Sequence, residues 1–260
     1  MGAKGFFTDT TLCIGCKACE VACKQWNQLP DDGLFFSGMS YDNTMQLGAS
    51  TWRHVTFVER PMALSGQAEG MGNFSWLFMS DVCKHCADAA CLDACPTGSI
   101  IRTEFESVYV QPDICNGCGY CVVACPFGVI DRRDDDGRAW KCTLCYDRLK
   151  DDMEPACAKA CPTDSIIFGD LIELQERAEE RVATLHERGV EAAYLYGVDA
   201  VNQPGTQGLN AFFLLVDKPE VYNLPPDPVA PRKKVLHSWA SMAVACMAMA
   251  VVAVGAVLFD

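Results

Sequence analysis

Alternation and apolar runs divide the chain into short strands, one amphipathic helix and one uniformly apolar segment. STWRHVTFVER (50–60) and NFSWLFMS (73–80) predict two strands separated by a Gly-rich connection from Ser65 to Gly72. SVYV (107–110) alternates as a strand should, and LNAFFLLV (209–216) predicts another. From Asp170 the period becomes helical. Leu171, Leu174, Ala178, Val182 and Leu185 form one apolar stripe, Asp170 and Glu173 predict a capping box, and Gly189 predicts the end. LPPDPVAP (224–231) predicts an extended, proline-stiffened linker. Val235 to Phe259 then carries no Asp, Glu, Lys or Arg. About 20 apolar residues span a bilayer core, so this run predicts a transmembrane helix. Ala240, Ala243, Ala245, Ala248, Ala250 and Gly255 allow close packing on another helix. Trp239 and His237 fit the interfacial belt, and Arg232, Lys233 and Lys234 the headgroup region.

Composition narrows the chemistry. The chain has 260 residues, 34 acidic against 21 basic, and a formal net charge of -13. Nucleic acid is a poor partner for such a surface, because phosphate binding needs basic side chains. Seventeen cysteines are present. That number is odd, and Met1 to Thr11 contains no apolar stretch of the kind that opens a secretory signal. A disulfide scaffold therefore fits badly, and thiolate ligation of metal fits well.

Sixteen of the cysteines fall into four runs. Cys13, Cys16, Cys19 and Cys23 are spaced C-x2-C-x2-C-x3-C, as are Cys115, Cys118, Cys121 and Cys125. Cys83, Cys86, Cys91 and Cys95 follow C-x2-C-x4-C-x3-C, and Cys142, Cys145, Cys157 and Cys161 follow C-x2-C-x11-C-x3-C. Proline follows the last cysteine of three runs (Pro96, Pro126, Pro162), and Lys24 takes that place in the first. Three thiolates on a tight loop can cap one iron–sulfur cubane. The fourth begins a helix that points away and so reaches a different cluster. A zinc ribbon needs only two C-x2-C pairs and leaves the third and fourth spacings unexplained. Gly15 and Gly117 lie inside the loops, where backbone must pass close to sulfide, and Gly119 is assigned the same role. CPTGSI (95–100), CPFGVI (125–130) and CPTDSI (161–166) repeat one turn leading toward a strand.

The residues around these runs have plainer readings. With four cysteines per site, His54 and His85 are expected to pack or to hydrogen-bond rather than ligate. Trp140 and Lys141, just before Cys142, have two readings: electrostatic tuning of a cluster, and the plainer one of shielding it from water. DRRDDDGR (131–138) reads as a solvated turn. The segment between Cys145 and Cys157 reads as exposed and available to a partner. Residues 28–80 are an insert whose hairpin would cover one cluster. Cys246 is a small apolar filler in the terminal run.

Taken together, the runs, the order of inserts and the single terminal apolar helix resemble the iron–sulfur (beta) subunit of membrane-bound formate dehydrogenase. That subunit belongs to the four-cluster subunits of molybdopterin oxidoreductases. The segments carrying the resemblance are TDTTLCIGCKACEVACKQWN (8–27), CPTDSIIFGD (161–170), AEERVATLHERGVEAAYLYG (178–197) and KPEVYNLPPDP (218–228). It implies an α+β fold of two tandem bacterial-ferredoxin-like two-cluster modules within residues 1–169, then a helix, strand and linker region (170–231), then an anchor (232–260). It implies four 4Fe–4S clusters and pairs the first run with the fourth and the second with the third. Carried onto this chain, one cluster takes Cys13, Cys16, Cys19 and Cys161, and its neighbour takes Cys142, Cys145, Cys157 and Cys23. The other module takes Cys83, Cys86, Cys91 and Cys125, and then Cys115, Cys118, Cys121 and Cys95. All sixteen positions are cysteine, unlike the nitrate-reductase branch with its three-iron cluster.

The function implied is electron transfer without a catalytic residue in this chain. Electrons come from a molybdenum or tungsten pterin subunit and go to a membrane cytochrome b, or another quinone-reactive subunit, in the lipid of the inner membrane. The equivalent subunit of a hydrogenase or a sulfur or polysulfide reductase is the alternative. No G-x-G-x-x-G lies at a strand–helix junction, which speaks against a self-contained nucleotide-dependent catalyst. Arg232, Lys233 and Lys234 before the helix put residues 1–234 in the cytoplasm by the positive-inside rule. The resemblance, through folded export with a partner, puts them on the periplasmic face, which is the expectation adopted.

Overall fold

The computed structural model of the chain describes residues 2–33, 36, 38, 41–61 and 74–258. Strand β1 (Lys4–Asp9) leads into the first cysteine run, whose tail is helix α1 (Ala18–Trp26). The long strands β2 (Arg53–Pro61) and β3 (Phe74–Val82) follow. Next come α2 (Ala90–Asp93), β4 (Ile100–Arg102), β5 (Val108–Val110) and α3 (Tyr120–Ala124). Two-residue strands β6 (Asp131–Arg132) and β7 (Ala139–Trp140) precede α4 (Tyr146–Lys150), α5 (Ala156–Lys159) and β8 (Ile166–Asp170). Helix α6 (Leu171–Glu187), strands β9 (Tyr194–Tyr196) and β10 (Ala211–Leu215), and helix α7 (Val235–Leu258) complete the order.

The main sheet runs β8-β1-β10-β9. β1 is antiparallel to β8, with Lys4 opposite Asp170 and Thr8 opposite Ile166, and parallel to β10. The start of the chain is thus sewn to residues beyond the fourth cysteine run. Pleating sends successive side chains of β1 to opposite faces. Phe6 joins the layer containing Cys19, Cys23, Cys142 and Cys157, whereas Phe7 joins the layer beneath α6 and stacks on Phe212 at 5.4 Å. The predicted stripe on α6 packs here: Leu174, Ala178 and Leu185 are buried, with Leu171 and Val182 partly so.

Several expectations meet differences. Asp170 does sit at the N-cap of α6, but its side chain makes no cap bond. It pairs instead with Lys4 Nζ at 2.9 Å, and the Leu171 N–H donates to the Ala3 carbonyl. Sheet closure takes the place of the capping box. The predicted hairpin forms as β2–β3, in register from Arg53–Val82 to Pro61–Phe74, while its Gly-rich connection (65–72) lies outside the described residues. The segment after Cys145 is only partly exposed. α4 buries Arg148 and Leu149, and the Arg148 guanidinium lies 4.2 Å from the Trp26 ring. The charged turn 131–138 is closed by the β6–β7 ribbon and is mostly exposed.

α7 is helical as predicted, and its described side chains from Ser238 to Ala250 are all exposed. Among the described residues no helix is long and apolar enough to cross a membrane. Arg232 and Lys233, expected at headgroups, instead face acidic groups beside α2. Arg232 lies 3.2 Å from Asp88 and 3.3 Å from Asp93, and Lys233 lies 3.3 Å from Asp88.

Candidate metal centres

Two enclosed spaces are lined by thiols drawn from two runs each. One is lined by Cys13, Cys16, Cys19 and Cys161. The other is lined by Cys83, Cys86, Cys91 and Cys125. Electrostatic neighbours give two further groups. Cys23 is raised by burial and by Cys142, Cys157 and Cys145. Cys121 is pushed up to about 11 by burial and by Cys115, Cys95 and Cys118. In each of the four groups, three cysteines come from one run and the fourth from its partner run. The fold explains the crossing. α1 packs on α5, so the tail of the first run reaches the fourth, and α2 packs on α3, so the second reaches the third.

With the group of Cys13 taken as first, that of Cys23 as second, that of Cys83 as third and that of Cys121 as fourth, the groups also touch one another in order. Cys19 is pushed up to about 12 by burial, and Cys157 of the second group contributes. The pKa of Cys142 is raised by burial and then most by Cys83 of the third group. Cys91 of that group is also pushed up to about 12 by burial, with Cys121 of the fourth contributing. Cys16 and Cys118, in the first and fourth groups, are the exposed ones among the sixteen.

Such a density of thiolates is unstable without positive charge. Arg53, 1% exposed, stands on β2 with Nη2 3.2 Å from Cys157 Sγ, and its guanidinium lies 4.8 Å from the Phe6 ring. Burial acts to lower its pKa, but Cys157, Cys19 and Cys142 outweigh that and hold it above the usual value. Lys141 is buried, donates to the carbonyls of Val108 and Cys142, and faces Cys83, Cys91 and Cys142. Its charge is therefore engaged between the second and third groups, which favours the electrostatic reading of this residue over the plainer shielding one. Buried Lys84, paired with Asp81, lies over the rings of Phe127 and Phe213. Hydroxyls add weaker contacts. Ser80 Oγ lies 3.1 Å from Cys19 Sγ, and Ser99 Oγ 3.1 Å from Cys95 Sγ. Burial raises Cys95, but Ser99 and Thr97 outweigh it and bring the thiol down to about 7.

Four soft thiolates around each enclosed space are the donor set of a cubane rather than of a hard cation. Among the described residues no three Cys, His, Asp or Glu side chains close on a single ion's position. Arg53 Nε is buried without a partner, as a donor facing an acceptor between the thiols would be. The residues present thus fit 4Fe–4S clusters. His54 is no ligand: Nε2 bonds Asp42 at 2.9 Å. His85 is buried, with Nδ1 accepting from the Val108 N–H at 3.1 Å.

Two of the loop glycines, Gly15 and Gly117, are explained by protein neighbours, whereas Gly119, with φ +78, meets only the Arg132 side chain at 3.6 Å. Gly15 has φ +67, and a Cβ there would meet the Phe78 ring at 2.8 Å, beneath the β2–β3 hairpin. Gly117 has φ +72, and its Cβ would stand 2.4 Å from the Gly137 carbonyl oxygen. Gly117→Ala should therefore cost more than the about 1–2 kcal/mol of a left-handed alanine. Gly98→Ala is the control, since Gly98 has φ +67 with nothing within 4 Å. Thermal unfolding and iron content of both variants would measure the difference, and equal losses would show that the Gly137 contact is immaterial.

An α+β scaffold that gathers sixteen thiols into four crossed groups defines a ferredoxin-type protein. Residues 12–99 and 74–171 each match a 4Fe-4S dicluster domain. Those matches follow chain order, whereas the strand pairing links the first run to the fourth. The chain is 41% identical to the formate dehydrogenase iron-sulfur subunit of Haemophilus influenzae, over 94% of this chain and 77% of that one. It is 43% identical to the nitrate-inducible formate dehydrogenase iron-sulfur subunit of Escherichia coli, over 85% and 71%. The B subunit of the Escherichia coli anaerobic dimethyl sulfoxide reductase is 32% identical, over 66% and 76%. The chain belongs to the family of formate dehydrogenase iron–sulfur subunits, and it is an electron-transfer subunit carrying four 4Fe–4S clusters.

Proposed function

We propose that this chain carries electrons from a molybdenum or tungsten pterin subunit that oxidises formate to a membrane cytochrome b. The observation that carries the reading is the line of four thiol groups with exposed cysteines in its first and last groups. The proposed ligand sets are Cys13, Cys16, Cys19 with Cys161; Cys142, Cys145, Cys157 with Cys23; Cys83, Cys86, Cys91 with Cys125; and Cys115, Cys118, Cys121 with Cys95. When bound, the clusters supply one-electron storage and release. The chain's own residues exclude water, hold the thiolates and set the local charge. Arg53 does this between the first and second groups and Lys141 between the second and third.

Residues 1–169 form the two modules, 170–231 the packing region and linker, and 232–260 a membrane anchor. The exposed apolar side chains of α7 and the uncharged run from Val235 to Phe259 support the anchor. The ion pairs of Arg232 and Lys233 with Asp88 and Asp93 weaken the charge argument for a cytoplasmic face. We therefore assign the soluble part to the periplasmic face of the inner membrane.

Iron and sulfide analysis of the chain in its complex tests the cofactor count. About sixteen of each per chain are expected from four cubanes. A dominant three-iron signal in the oxidised protein would contradict the sixteen-ligand assignment. Co-purification with a formate-oxidising pterin subunit tests the partner, and a different substrate at that subunit would overturn the formate reading.

A further inference from the structure

Two buried donors beside the thiol groups, Arg53 Nε and His85 Nε2, have no hydrogen-bond partner among the described residues. Arg53 already reaches a cysteine sulfur through Nη2. His85 reaches none, and its position is the more informative. It is 1% exposed and lines the space enclosed by Cys83, Cys86, Cys91 and Cys125. Its tautomer follows from the backbone. The Val108 N–H donates to Nδ1 at 3.1 Å, so Nδ1 carries no proton and the ring's single proton sits on Nε2. A buried N–H without an acceptor costs about 1–3 kcal/mol. An acceptor on the cluster would remove that cost, and the cavity wall offers no protein acceptor to Nε2.

We propose that His85 Nε2–H donates a hydrogen bond to the cluster held by Cys83, Cys86, Cys91 and Cys125, and that this bond raises the cluster's reduction potential. The inference rests on the ligand set proposed above. A donor to cluster sulfur stabilises the more negative, reduced form more than the oxidised one. Lys141 faces Cys83 and Cys91 of the same group, and Lys84 lies beside Cys86 and Cys125. These cations act in the same direction. Together they favour the reduced state of this site, at the junction between the two modules. His85 is a positioning residue that tunes its neighbour without itself taking an electron.

The test uses the intact complex and potentiometric titration followed by EPR. His85→Leu should lower one midpoint so that, at fixed potential, the reduced-to-oxidised ratio falls about tenfold, which is about 59 mV for one electron. The other three midpoints should stay in place. His85→Gln, which keeps an acceptor for Val108 and an N–H toward the cavity, should restore most of the shift. A merely structural role would not separate these two variants by potential. Should His85→Leu shed iron, wild-type complex grown with ¹⁵N-histidine supplies a second reading. Pulsed EPR should find one histidine nitrogen coupled to one reduced cluster, and His85→Gln should abolish it. No midpoint shift in an iron-replete His85→Leu complex, or no histidine coupling in the wild type, overturns the inference. Cys125→Ser tests the ligand set separately. The signal it perturbs should be the one coupled to histidine, and perturbation of a different signal would refute the placing of Cys125 while leaving His85 bonded to the cluster of Cys86.

Discussion

Cys23→Ser is expected to damage the site of the fourth run and leave the site of its own run nearly intact. Cys23 lies near the end of α1, buried, where α1 meets α5. Its thiol is surrounded by Cys142, Cys157 and Cys145. The Asn27 side-chain amide donates to it at 3.7 Å, further fixing its direction. Cys13 and Cys16 share their enclosed space with Cys19 and Cys161 instead. Loss of groups that merely orient ligands costs about 10–100-fold in metal affinity or activity. Loss of a proposed ligand should cost at least as much in electron throughput. The purified complex should lose about one to four of its sixteen irons, in step with one cubane of the four. EPR of the reduced variant should lose or alter the signal that Cys142→Ser also alters. If the altered signal is instead the one sensitive to Cys13→Ser, the crossed arrangement is wrong.

Ending the chain after Pro231 should separate electron uptake from delivery. Pro225, Pro226, Pro228 and Pro231 interrupt any continuous helix between the modules and α7. The truncation deletes the contacts of Arg232 and Lys233 with Asp88 and Asp93. Arg232 is largely exposed, and such pairs contribute only about 0–1 kcal/mol. Iron content and reduction of an artificial dye should therefore persist. Quinone reduction should fall by more than about tenfold, because a lost docking contact of about 1.4 kcal/mol already sets that factor. Loss of iron would show that α7 belongs to the cluster fold. Full quinone reduction by a membrane-bound complex would show that another subunit supplies the anchorage.

The thiols were readable before the fold because ligand spacing is local, and four runs of one shape leave few alternatives. The strands of the hairpin and the stripe of α6 were readable for the same reason, since each shows its own period. Lys141 was legible as a candidate source of charge at a cluster; what spacing could not reveal was Arg53, or which thiols either cation faces. Arg53 sits within an alternating strand that reads as ordinary, and only the folded hairpin carries it to Cys157 and Cys19. Lys141 stands next to Cys142 in sequence, yet the residues it faces include Cys83 and Cys91, some fifty positions earlier. The capping box of α6 failed because the β1–β8 pairing brought Lys4 to Asp170 and the Ala3 carbonyl to Leu171. Long-range partners won over local ones in each case.

The pairing of β1 with β8 orders events on the ribosome. Lys4 must wait for Asp170, which is 166 positions later. At about 5–20 residues per second, that interval is roughly 8–33 s of synthesis. Through that time Cys13, Cys16 and Cys19 have emerged without the strand that brings Cys161 to them. The half built from Cys83 to Cys125 is complete in sequence earlier, and its strands β4 and β5 pair locally. The inner half of the chain can therefore mature while translation continues, and the half nearest the N-terminus must be finished last.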